Sequence, residues 1–415
     1  MSSGTAVEDL DRWQLATLGR EYLLAGHLID RAGMPHVIAA AGREVMEAVA
    51  IDEWMGASPV YTRRVRRLLG FDHELDVSST FKGMQFDIGA PHEFLDFRFS
   101  VSGPDRGEFH LAHCGALVDV EPMGEDFVHG MCHTIEDPTF EATVCASNPR
   151  ARMVPVHRPP RVPTDRRPHC AWEVVIDPGA SPRPEPAPAR RIARTRAAEL
   201  HVPVLPLVPA GEGRSDYAGP VDPDLRLEDF SREALLALVR EFALQGHLLA
   251  MSFHAAVASR VGPAEASTIL ARQFTGVAGL VAGRLARALG ASADAAGVAT
   301  VLELHPAFAP RDYVDVWVDG DGETVVAVGD CPATEETEAL GWATLLADGL
   351  AAPALDAMVG AVDPSARCEP VEPPMGRIRA WRVLHGGDPR PEPADVALAR
   401  FSAGADFEFV RIGPR

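Results

Sequence analysis

The chain carries one sequence unit twice. "REYLLAGHLID" (Arg20 to Asp30) recurs as "REFALQGHLLA" (Arg240 to Ala250), an offset of 220 residues. The same offset lays "RRVRRLLG", ending at Gly70, over the stretch ending at Gly290. The offset then falls slowly. Ala90 meets Ala309 at 219, Cys114 meets Cys331 at 217, Pro159–Pro160 meets Pro373–Pro374 at 214, and Ala171–Trp172 meets Ala380–Trp381 at 209. Colinear matches of this kind define a tandem duplication, and two copies of one domain usually bury the same surface against each other.

Each unit reads the same way. Apolar residues three and four apart (Leu15, Leu18, Tyr22; Leu235, Leu238, Phe242) predict helices first. A second helix should stop at Gly70 or Gly290, since glycine suits a helix C-cap. Its "RRVRR" run (Arg63 to Arg67) is expected to face water. Alternating strands follow: "FLDFRFSV" and "EFHLAHC" in one copy, "YVDVWVD" and "ETVVAVGDC" in the other, the latter pair joined by a "DGDG" hairpin signal from Asp319 to Gly322. Helices return, with Asp137 expected as an N-cap before Pro138, and a last strand ("RMVPVH", "RIRAWRVL") closes the unit. The expected fold is α+β: two tandem homologous units, each a helical front half plus an antiparallel sheet covered by helices, packed as a pseudo-dimer. The units should span 1–177 and 228–415, joined by a Pro/Ala/Arg-rich linker over 178–227.

Charge narrows the function. With 59 acidic against 39 basic residues the formal charge is −20, which argues against a nucleic-acid partner and against an anionic membrane surface. No basic start followed by an apolar core marks a secretion signal, no apolar run reaches membrane-spanning length, and six cysteines in so long a chain do not form a disulfide framework. A cytoplasmic protein with reduced thiols and a small-molecule substrate is the expectation, and a homo-oligomer remains open.

The two units differ most between His110 and His133. There the first unit concentrates four of the chain's 15 histidines (His110, His113, His129, His133) and two of its six cysteines (Cys114, Cys132). With Pro138 laid on Pro353, His133 falls on Asp348, Cys132 on Ala347, Glu136 on Ala351 and Asp137 on Ala352, and only the cysteine pair Cys114/Cys331 is shared. A set of residues needed only for the fold should recur in the copy, so function is the better reading. If residues 124 to 136 are helical, His129, Cys132, His133 and Glu136 share a face. Imidazole, thiolate and carboxylate suit Zn, Mn or Fe, so His113, Cys114, His133 and Glu136 are candidate ligands of a divalent metal, with bound water as nucleophile. A metal-free site also fits, in which Cys114 attacks and His113 or His133 activates it, with Glu121 in reserve as general base and Cys132 as a second thiol, and the rival to both is a non-catalytic small-molecule or metal-binding module. Arg158 and Arg161, in the "HRPPR" stretch that the second copy lacks, are candidates for holding a substrate carboxylate. His27 and His247, shared by both copies, read as hydrogen-bonded core residues.

The order of landmarks carries a family resemblance. "HCGA" and "DCPA" place a cysteine at a strand end, Cys132 follows 18 residues after Cys114, and then come Phe140, an Asn148–Pro149 or Asp363–Pro364 pair and a Pro-Pro exit. In this the chain resembles the L-2-amino-thiazoline-4-carboxylic acid hydrolase-like family. The resemblance implies hydrolysis of a C–N or C–S bond in a small thiazoline- or amidine-like acid, with a divalent metal, and picks out Cys114, Cys132 and Cys331. Gly115 stands where the family pattern has Pro, and the second unit lacks the second cysteine.

Overall fold

The computed structural model describes residues 6–206, 209, 211–319 and 323–410. Each unit opens with two long helices joined at one glycine. In the first these are α1 (Arg12–Ala41) and α2 (Arg43–Leu68). Asp11 caps α1 by accepting from the backbone of Trp13 and Gln14. Gly42, at φ +87°, turns the chain into α2, where a side chain would be strained. A short α3 (Val77–Met84) leads to β1 (Leu95–Gly103) and β2 (Arg106–Cys114). The chain then runs through α4 (Gly115–Val120), α5 (Glu125–His129), a π turn (Gly130–Ile135) and α6 (Glu136–Ser147) to β3 (Ala151–His157) and β4 (Cys170–Ile176).

The second unit repeats this with α9 (Arg232–Val261), α10 (Pro263–Leu289), α11 (Ala295–Glu303), β5 (Val316–Asp319), β6 (Val325–Gly329), α12 (Trp342–Ala347), α13 (Ala352–Val362), β7 (Arg367–Val371) and β8 (Arg377–Leu384). Both sheets are antiparallel and four-stranded, ordered β1-β2-β4-β3 and β5-β6-β8-β7. One strand per unit was not expected, β4 and the Pro-containing β7. The turn of the "DGDG" hairpin, 320–322, lies outside the described residues. The expected extended linker holds two short helices, α7 (Ala187–Ile192), which packs on α2 and α9, and α8 (Arg196–Glu199), which packs on α9. After β8 come α14 (Ala394–Ala399) and α15 (Ala403–Asp406).

The units meet through their long helices: α1 lies on α9 and α10, and α2 on α9. The contact is isologous down to single ion pairs. Arg64 Nε donates to Glu241 Oε2 at 2.8 Å and Nη2 to Oε1 at 2.9 Å. At the same offset of 220, Arg284 Nε donates to Glu21 Oε2 at 2.7 Å and Nη2 to Oε1 at 3.1 Å. Arg12 and Arg232 likewise reach the backbone oxygens of Glu228 and Glu8. Residue i touches j and j touches i, as two-fold packing demands. The "RRVRR" run is therefore only partly solvated. Arg64 is buried in this interface, and Arg66 is buried against the carbonyls of Glu74 and Ser79. α9 is the one described helix long and apolar enough to cross a membrane, and 89% of its most apolar window is buried inside the fold.

The two sheets relate differently to the shared helical core. Val316, Val326 and Val328 of the second sheet are continuous with it. Phe97, Phe109 and Trp172 of the first sheet belong to a separate apolar cluster. Between that cluster and the helices the first unit leaves a space.

Candidate functional site: a chamber in the first unit

That space is a cavity of about 440 Å³ enclosed by α1, α2, the sheet and the α4–α6 region. Six of the chain's 11 methionines line it: Met34, Met46, Met84, Met123, Met131 and Met153. Trp54, Phe97, Phe127 and Phe140 complete much of an apolar wall. Thioethers are unbranched and polarizable, so a methionine wall adapts to irregular apolar shapes.

At the matching place in the second unit, aromatic and methionine side chains pack together. Trp54 corresponds to Phe274, whose ring stacks on Trp342 at a centroid distance of 5.1 Å. Thr143 corresponds to Met358, which is fully buried. His247, the partner position of His27, packs against Trp342 and Tyr313 and bonds the Ala309 carbonyl at 3.0 Å. Burial lowers its pKa to about 4, so it is a neutral core histidine.

His27 stands differently. It lines the chamber, and its Nε2 lies 2.7 Å from Asp119 Oδ2 and 3.1 Å from Ser402 Oγ. Asp119 also accepts from Arg31 Nε at 2.9 Å and from the Ala403 amide at 2.6 Å. Burial opposes its charge, but the His27 bond, the His27 and Arg31 charges and the Ala403 amide outweigh it and hold the pKa at about 2. Arg31 pairs with Asp30 as well, and among the described residues its Nη2 meets only the Met131 thioether, at 3.7 Å. A guanidinium nitrogen on the chamber wall is thus left with a weak partner. Segment 401–404, from the end of the second unit, seats Phe401 in the wall while Ser402 and Ala403 bond Asp119.

Cys114 and Glu136 face the same chamber. Burial and the Glu136 carboxylate push the Cys114 thiol up to about 12, with Arg31 pulling weakly the other way. Cys114 Sγ accepts from the Leu117 amide at 3.4 Å and caps α4. Glu136 keeps some accessible surface toward the chamber, yet its Oε2 is buried and has no hydrogen-bond partner among the described residues. Burial raises its pKa to about 8, against the nearby Arg158 charge, so the carboxyl is mostly protonated at neutral pH. Across the chamber Asp87, raised to about 7 by burial, accepts from Tyr61 Oη at 2.6 Å.

The other expected site residues are placed elsewhere. The chain passes from α5 into α6 through the π turn with helical backbone throughout, so Asp137 lies inside the helix and caps nothing. The wider turn also shifts the expected face. The His129 and His133 rings stack at 4.3 Å, and His133 Nε2 lies 2.7 Å from the Pro159 carbonyl. Gly130 permits the turn to pass Glu47, since a Cβ there would lie 2.4 Å from Glu47 Oε1. His113 packs on His169 at 5.7 Å. Cys132 is buried with its thiol pushed up by burial and by Glu136. Glu121 is clamped by Arg161 through two bonds of 2.7 Å, and Arg158 is paired with Asp137, so both arginines are already matched. Of the expected metal ligands only Cys114 and Glu136 converge. Among the described residues no three His, Cys, Asp or Glu side chains form a group able to hold a metal ion. His113 and His133 are thus turned to other partners than the expected metal position.

Comparison of the chain with protein-family models, with curated proteins and with solved structures returns no match.

Proposed function

We propose that the first unit is a binding module for a small, largely apolar molecule with one hydrogen-bond-accepting head group. The supporting observation is the chamber itself: an adaptable apolar wall in which two polar groups, the protonated Glu136 carboxyl and Arg31 Nη2, are short of partners. Each offers a donor, and unmatched buried polar groups gain most from a ligand that matches them. The second unit serves as scaffold, and Phe401 is part of the wall.

The hydrolase reading requires a reactive thiol or a bound metal. A thiol held near 12 is protonated at neutral pH and is a poor nucleophile. Titration of the full chain with the neutral dye N-phenyl-1-naphthylamine tests the binding reading. Saturable fluorescence enhancement is expected, weakened at least tenfold by Ala116→Phe, which narrows the chamber, and by Met131→Trp. A flat titration in the folded protein counts against it. So does turnover of 2-aminothiazoline-4-carboxylate, with or without added Zn²⁺ or Mn²⁺, that disappears in Cys114→Ser.

A further inference from the structure

The second unit holds a different cavity, of about 850 Å³, between α10, α13, the β7–β8 edge and the 390–400 segment. Four arginines line it, Arg287, Arg379, Arg390 and Arg400, against two carboxylates, Asp356 and Glu392. In a chain whose formal charge is −20 this is a local excess of two positive charges.

The carboxylates are already used. Asp356 takes Arg390 at 3.3 Å, repeating the Arg183–Glu141 pair of the first unit, and Glu392 takes Arg400 Nε at 2.7 and 2.8 Å. Arg287 and Arg379 have no ion-pair partner among the described residues; Arg287 Nη2 reaches only the Ala405 carbonyl, at 3.2 Å, and Arg379 Nε only the Ala347 carbonyl, at 2.9 Å. Arg379 is half-buried on the helix-facing side of β8, two residues before Trp381, at the position where the first unit has Cys170 before Trp172. One copy therefore holds a buried thiol where the other holds a cation. Gly349, at φ +78°, makes room for it, since a Cβ there would lie 2.7 Å from Arg379 Nη1. A half-buried guanidinium without a counter-ion is costly unless something supplies one.

We propose that this pocket binds the phosphoryl group of a small phosphorylated molecule, with Arg379 and Arg287 as its two free cations. Guanidinium forks match tetrahedral oxyanions, and two unmatched charges fit a dianion better than a single carboxylate. The site is separate from the chamber of the first unit, so either can fail without the other.

Isothermal titration of the full chain with inorganic phosphate and with phenyl phosphate, at ionic strength fixed by NaCl, reads this directly. Saturable binding at one site per chain is expected, tighter for phenyl phosphate if the remaining space holds the organic part. Arg379→Gln and Arg287→Gln should each weaken it at least tenfold. Arg67→Gln, the exposed first-unit counterpart of Arg287, should leave it unchanged. Arg379→Lys should retain part of the affinity. If Arg379→Gln does not fold, Arg287→Gln alone decides, because that side chain is exposed. Heats no larger than dilution for both compounds, or binding that survives loss of both arginines, overturns the assignment.

Discussion

At the scale of single residues, Glu136 makes the chamber pH-sensitive in a definite direction. Its carboxyl titrates near 8 in the folded chain against about 4.5 when exposed, so the folded state binds the extra proton between those values. Stability from this group is complete below pH 4.5, declines as pH rises toward 8 at on the order of 1.4 kcal/mol per unit, and is flat above. Glu136→Gln keeps the shape and removes the titration. Urea midpoints measured from pH 5 to 9 should therefore fall less steeply in the variant than in the wild type. Parallel profiles would show that Glu136 is solvated and unshifted, and would remove the protonated donor from the proposed binding site. The cysteines teach a related lesson. Thiol and imidazole density singles out residues 110 to 137, but there Cys114 proves to be a buried helix cap, and His113 and His133 are engaged elsewhere. Burial and the π turn over Gly130–Ile135, neither of which residue type signals, decide where these side chains lie.

At the scale of elements, most of the fold was legible because the duplication fixed it twice over. Helix pairs, glycine joints and sheet strands recur at matching offsets, and a pattern that survives in both copies is hard to misread. The chamber was not legible, because it arises from what is missing. Trp342 and Met358 fill the second unit, while the methionines that line the first are scattered from residue 34 to residue 153 with no local period. The arginine run on α2 was misread for a similar reason: its partner Glu241 lies 177 residues away. That pair makes a sharp prediction about how the helices are joined. Glu241→Ala would leave the Arg64 cation with only the Ala198 and Leu200 carbonyls and should cost about 3–5 kcal/mol, as removal of one member of a buried ion pair does. Replacing both members by apolar residues, Arg64→Met with Glu241→Leu, should recover most of the loss. Equilibrium denaturation distinguishes the cases, and a single-variant loss below about 1 kcal/mol would show that the pair does not hold the interface.

At the scale of the whole molecule, the two units are tied a second time through Asp119. It receives His27 and Arg31 from α1 and Ser402 and the Ala403 amide from the far end of the second unit. Its folded pKa near 2 lies below the usual carboxylate value, so the tie is fully formed above about pH 4 and is lost as pH falls through 2. Asp119→Asn replaces one acceptor oxygen by a donor facing other donors, which should cost about 1–3 kcal/mol. The cost should be localised. With Ser402 and Ala403 released, Phe401 loses its anchor, and the chamber opens on that side. Hydrogen exchange should then show faster labelling of the 401–406 amides with little change in the α1–α9 interface, and naphthylamine binding should weaken in parallel. Phe401→Ala, which keeps every Asp119 bond, should weaken the dye without loosening those amides. Should Asp119→Asn leave the Ala403 amide as protected as before, the segment is held by the Phe407–Phe94 packing and the Arg284 carbonyl contacts instead, and the second unit closes the chamber without Asp119.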